Sequence, residues 1–483
     1  MKQKRFKQKA LSLVLCASMV ASSFTGFTMN SNTKNVQAFS AGTTIDEEKR
    51  LTEADIPNTT LLTVLKVIGN YTKAYNNGDV TKPLTGDEDF LSSAYDHYKD
   101  DSITFGELKA YTGAINLNRY ASKITDIKGL GYARGASSFN LGSCTSITSI
   151  PEDEFGKCSM TEIVLPNTIK KFGKGAFQQC INLKKVLING KTYASNENIA
   201  DIAGIDSIGD FAFDGCKALT TVNLSTSENL YIGKSAFSNC VSLTSIVLPM
   251  SNANNLGDSA FAGCTSLREI TFNDNLNYIP SNCFNATRPF KIMLIGKTYS
   301  NKNVMPSGLT YVGASAFQDC FLSSMDFSNS KKLTYFGEYS FSAAVSGNLI
   351  LPPALNKISS RAFNATIITS PLVIPDSVTT IEDGAFTEAS LKGITLSANL
   401  TTINDSVFSG CYFAENNFKI NAPSKLKKIG NKAFYKSYGL TNTDFIKDIN
   451  SLTEIGDYAF AGCSQTETDQ IEGKYKKDIY GSW

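Results

Sequence analysis

Along most of its length the chain alternates short apolar triplets with polar turns, and one arrangement returns at a near-constant interval. In CKALTTVNLSTSENLYIGKSAF the apolar positions are Leu219, Val222, Leu224, Leu230, Ile232, Ala236 and Phe237. CVSLTSIVLPMSNANNLGDSAF repeats the order with Leu243, Ile246, Leu248, Leu256, Ala260 and Phe261. SLKGITLSANLTTINDSVF repeats it again with Leu391, Ile394, Leu396, Leu400, Ile403, Val407 and Phe408. Within each IxL or VxL triplet, two residues to be buried flank one that points outward, the two-residue period of a short strand with one covered face. Pro or Ser after the triplet, and Gly or Asn before the small-Phe pair, stop the strand and turn the chain.

The phenylalanine that closes each unit fixes the register: Phe155, Phe177, Phe213, Phe237, Phe261, Phe284, Phe317, Phe341, Phe363, Phe386, Phe408, Phe434 and Phe460. Two intervals are long, 36 residues before Phe213 and 33 before Phe317, and the other ten average about 23.6. A period of roughly 20 to 29 residues indicates leucine-rich repeats. One unit cannot cover its own apolar face, so consecutive units must stack. The predicted fold is a leucine-rich-repeat solenoid, β-rich, whose short strands add side by side into one long parallel sheet.

Stacking the triplets aligns their middle residues on the exposed sheet face. Val164, Leu187, Val247, Met293, Ile350 and Val373 are apolar there, whereas Asn223, Thr271, Asp326, Thr395 and Lys419 are polar. An exposed apolar stripe with polar edges is the surface expected of a protein-binding site, and the six apolar residues are the candidate contacts. The same residues also suit strands through β-branching alone, which leaves both explanations open.

The unit LxxIxLPxx(V/L)xxIxxxAFxxC, clearest in LTSIVLP with SAFAGC and in LVIPDSVTTIEDGAF, resembles the treponemal-type repeat of BspA-like bacterial leucine-rich-repeat surface proteins. The resemblance covers residues 144–463. It implies a secreted or surface-displayed adhesin or interaction protein, which in some members binds extracellular-matrix or cell-surface proteins, with no catalytic residue to carry over. The segment INLNRYASKITDIKGLGYA is similar to the first repeat of Gram-positive leucine-rich-repeat proteins that carry helical caps.

The two long intervals contain related insertions, LINGKTYASNENIADIAG and LIGKTYSNKNVMPSG, which point to duplication of a block of repeats. As loops on a rigid scaffold they could serve as ligand contacts, with Tyr193 and Tyr299 the candidates for cell-wall glycan, or they could be inherited without a ligand.

The domain reading begins with a secretory signal over residues 1–38: a basic start, an apolar stretch from Ala10 to Met29, and Val36-Gln37-Ala38 as a small-residue cleavage pattern. The competing reading is an uncleaved membrane anchor, disfavoured by the Ser and Thr content of the stretch. Leu15 before Cys16 is not the small residue that lipidation needs. Residues 39–115 form a helical N-terminal cap. Its long helix would bury Leu61, Leu62, Leu65 and Ile68, and a second helix covers Thr104 to Tyr111. Residues 116–463 are the solenoid, and residues 464–483 read as a polar tail or truncated cap. No second long apolar segment exists, so no transmembrane span is expected in the mature chain.

Composition then narrows the chemistry. The chain carries 46 Lys plus Arg against 44 Asp plus Glu, and removing the signal leaves 40 against 44, a balance of −4 that does not favour nucleic acid. His97 is the only histidine, which excludes chemistry that needs two imidazoles. It sits in DHYKDDSITFGE, a segment of calcium-loop length in which Tyr98 replaces an oxygen ligand and Asp101 replaces the turn glycine, so a solvated turn is the better reading. Most cysteines fall three residues after the register Phe, where other units carry Ala344, Thr366, Ala389 or Ser437, which marks a small buried slot occupied by free thiols. Zinc would need closer ligand pairs than one per repeat. No cofactor and no enzymatic activity are expected. The functional expectation is a non-catalytic scaffold, secreted or at the surface of a Gram-positive bacterium, that binds an extracellular or host surface protein. The alternative is a glycan-binding or cell-wall-associated module.

Overall fold

The computed structural model describes residues 46–99, 102–189, 199–224, 229–250, 255–289, 291–295, 297, 303–413, 420–440 and 449–463. The repeats form a parallel β-solenoid of the leucine-rich-repeat type behind a small helical cap. The triplets build its large face. Ala114–Asn116, Ser138–Asn140, Glu162–Leu165, Lys185–Ile188, Ile199–Asp201, Thr221–Asn223, Ser245–Leu248, Glu269–Phe272 and Lys291–Leu294 pair in that order in one nine-stranded sheet. Further along, Leu322–Asp326 pairs with Val345–Ile350, and Leu372–Val373, Ile394–Thr395 and Ile420–Asn421 form a three-stranded continuation.

The triplet pattern accounts for only this series. A second series of parallel two-residue strands, including Ser207–Ile208, Tyr231–Ile232, Tyr278–Ile279, Tyr311–Val312 and Tyr335–Phe336, forms where a single buried aliphatic or aromatic residue precedes the turn. Two residues are too few to show alternation in sequence.

At the register phenylalanines the backbone takes a third repeating form. Each of the thirteen is flanked two residues before and two residues after by a positive φ, as at Ser235 and Asn239 around Phe237 (53° and 58°). This alternation aims every second N–H along the solenoid axis. Phe213, Phe237 and Phe261 each donate to the carbonyl before the next Phe, at 2.8, 2.8 and 2.9 Å. The rings stack in one buried column, with Phe213, Phe237 and Phe261 separated by 5.1 and 5.5 Å and nearly parallel.

The cysteines belong to this turn. Cys180, Cys216, Cys240 and Cys264 each direct Sγ to the carbonyl of the preceding coil's Phe, at 2.8 to 3.2 Å, and all the described cysteines are free. Burial pushes the thiols up, Cys180 and Cys264 to about 12. Ser437 fills the same slot and donates to Phe408 at 2.6 Å.

The insertions do not simply project. Residues 190–198 lie outside the described set, but Ile199–Asp201 returns as a full strand between Lys185–Ile188 and Thr221–Asn223. In the second insertion Val304 bridges to Asp326, while Asn303 accepts from the Ile292 N–H (2.8 Å) and donates to the Ser324 carbonyl (3.0 Å). Each insertion therefore adds to the large face without adding a phenylalanine turn.

In the cap, Asn58 accepts from the Leu61 N–H (2.9 Å) to start the helix Thr59–Asn76, which buries Val64 and Val67 as well as the residues its periodicity marks. The short helix Phe105–Lys109 opens with a capping box between Thr104 and Glu107. The cap also satisfies the first edge strand, because the Tyr111 hydroxyl donates to the Ala114 carbonyl (2.6 Å) and Asn116 donates to Asp87 (2.9 Å). Asp96–Lys99 is a short helix rather than a turn, His97 is exposed, and Asp100 and Asp101 lie outside the described residues.

Candidate functional site

The outward positions of the large sheet form one column whose register follows from the strand pairing. It starts with Asn116, Asn140, Val164 and Leu187, each opposite the next. Asp201 then pairs with Asn223, followed by Val247, Thr271 and Met293. Further on Asp326 lies opposite Ile350, and Val373, Thr395 and Asn421 complete the column. Asn421, not Lys419, occupies the last position, and Lys419 lies outside the described residues.

The six apolar residues thus face the same way but are brought together only in part. Val164 and Leu187 are adjacent, Thr271 separates Val247 from Met293, and Asp201, Asn223 and Asp326 interrupt the rest. Val247, Ile350 and Val373 are 50%, 45% and 61% exposed, whereas Val164, Leu187 and Met293 are half-buried. Beside the column, opposite charges meet on neighbouring strands: Lys291 lies 3.2 Å from Glu269 and Lys185 lies 4.0 Å from Glu162. These pairs give the apolar positions a charged margin. Tyr193 and Tyr299 lie outside the described residues.

Sequence reasoning missed a second column. Tyr278, Tyr311 and Tyr335, each opening a two-residue strand, stack at 5.0 and 5.1 Å with nearly parallel rings, and the Lys357 ammonium lies 5.4 Å from the Tyr335 ring. The recurring Tyr one residue before the buried position, in YIP, YVG and YFG, was the available signal. The inner faces of the rings are taken up by one another, and the Lys357 ammonium takes a place over Tyr335.

No group of three or more His, Cys, Asp or Glu that could hold a metal occurs among the described residues, and no described helix is long and apolar enough to cross a membrane. A parallel solenoid of leucine-rich coils with one broad exposed sheet face is the class that this geometry defines. The sequence matches the BspA type leucine-rich repeat region over residues 133–202, 192–303, 296–389 and 380–478, and the chain belongs to that family. Among solved structures, a leucine-rich repeat protein from Bacteroides ovatus is 20% identical over 68% of this chain and 86% of that chain, with a TM-score of 0.47. A leucine rich cell surface protein from Faecalibacterium prausnitzii is 20% identical over 68% and 86% (TM-score 0.37). The pneumococcal vaccine antigen PcpA is 18% identical over 67% and 79% (TM-score 0.40). No curated protein matches the chain.

Proposed function

We propose that the chain is a secreted or surface-displayed adhesin or host-interaction protein that binds an extracellular protein through the large sheet face. The observation that carries this reading is the exposure of Val247, Ile350 and Val373 on a ladder-fixed surface with charge pairs alongside. Apolar residues held by a hydrogen-bonded sheet need no ordering on association, so little of their contact energy is lost to entropy. Membership of the BspA type leucine-rich repeat family, together with the resemblance to bacterial surface proteins read in its repeats, supports the location.

The test is a pull-down of matrix and host surface proteins by the mature chain, repeated with Val247→Asp and Val373→Asp together. Captured partner should fall at least tenfold with the melting temperature unchanged, because both side chains already face water and a charge there is costly only under a partner. Undiminished capture by the double variant would remove the sheet face from consideration.

A further inference from the structure

The second insertion creates a polar cleft that the sheet-face reading does not use. It has a volume of about 470 Å³ and is lined by Asn275, Lys297, Ser307, Asn329, Lys331 and Lys332 together with the backbone at Gly308. These residues come from neighbouring coils, where the chain leaves the large sheet after Glu269–Phe272, after the Val304 bridge and after Leu322–Asp326. Lys297 is supplied by the insertion itself.

The wall is held by Asp274. Its carboxylate accepts from the Ser307 N–H (3.0 Å) and hydroxyl (3.0 Å) and pairs with Lys297 (2.5 Å). Burial would raise its pKa, but these partners outweigh burial and hold it below the usual carboxylate range, so Asp274 stays charged and neutralises Lys297 alone. Lys331 and Lys332 have no carboxylate within 4.0 Å among the described residues, and neither do the side-chain amides of Asn275 and Asn329 have a hydrogen-bond partner among them. Among the described residues, the cleft therefore offers two ammonium groups without a carboxylate partner and two unused amides, and no apolar side chain lines it.

We propose that this cleft binds an acidic polysaccharide, the ammonium groups taking its carboxylate or sulfate oxygens and the amides its hydroxyls. Ammonium groups are compact donors to oxyanions, and amides both donate and accept, which suits a polyhydroxylated anion. An acidic peptide brings carboxylates but no row of hydroxyls for the two amides, so the polyhydroxylated anion suits this lining better. The site is separate from the sheet face and does not depend on it.

The experiment measures binding of the full chain to heparin and to hyaluronan, with dextran and poly-glutamate as the neutral and peptide arms. Binding to heparin alone identifies sulfate as the recognised group, and binding to hyaluronan as well identifies carboxylate. Lys331→Gln with Lys332→Gln should weaken binding tenfold or more at unchanged melting temperature. Lys123→Gln with Lys217→Gln, which removes the same charge from exposed positions elsewhere, should change it less than twofold. The Val247→Asp, Val373→Asp variant should retain polysaccharide binding, so failure of one site is distinguishable from failure of the other. The proposal is overturned by equal loss in the two lysine pairs, by comparable affinity for dextran or poly-glutamate, or by absence of binding to both acidic polysaccharides.

Discussion

Ser340 stands immediately before Phe341, in a slot where nine other coils carry alanine, and its buried hydroxyl has no partner among the described residues. An unsatisfied buried hydroxyl costs about 1 to 3 kcal/mol. Ser340→Ala should therefore stabilise the fold by about 1 kcal/mol, read as a higher denaturant midpoint with unchanged slope. A lower midpoint would show that the hydroxyl is satisfied after all. The neighbouring slot three residues after the phenylalanine was legible as small and buried from its Cys, Ala, Thr and Ser content. Its hydrogen bond was not, because the acceptor of the Cys216 thiol, the Phe177 carbonyl, lies 39 residues earlier and only stacking brings the two together.

Among the elements, the turn around each phenylalanine stores the most strain, since L-residues at positive φ cost about 1 to 2 kcal/mol each. Gly215, Gly263, Gly410 and Gly462 take the second such position without that cost, but Ala365 holds φ at 53°. Ala365→Gly is expected to stabilise by about 0.5 to 1 kcal/mol after the greater unfolded-state entropy of glycine is counted, measured by thermal or denaturant unfolding. A destabilised variant would mean that the Ala365 methyl contributes packing that outweighs its strain. The triplet strands and the phenylalanine register could be read in the sequence because each repeats a side-chain pattern. The returning strand Ile199–Asp201 could not, because it lacks the triplet and follows an insertion that hides its register. The tyrosine column was missed for a related reason: its strands show two residues each, and after three tyrosines the same ladder position passes to Lys357 and Thr380.

For the whole molecule, the contact between the first coils of the solenoid carries a titratable group. The Glu154 carboxylate accepts from the backbone N–H of Gly131 (2.8 Å) and Gly129 (3.2 Å), and burial pushes its pKa up from 4.5 to about 7 despite those donors. The folded state therefore holds this proton more tightly than the unfolded chain. The associated stability is fully present below pH 4.5 and is lost as pH rises towards 7, a change of at most about 3 kcal/mol. Unfolding free energy should fall between pH 5 and 7.5 in the parent chain, and Glu154→Gln should flatten that segment of the profile. An identical profile in the variant would assign the pH dependence elsewhere. Beyond this contact, each coil is held chiefly by its two neighbours, through strand ladders, turn N–H bonds and stacked phenylalanine rings. Pulled from one end, coils stacked in this way can yield one at a time, each release lengthening the chain by about one repeat while the coils beyond it stay folded. The phenylalanine column thus lets the molecule lengthen in steps rather than all at once.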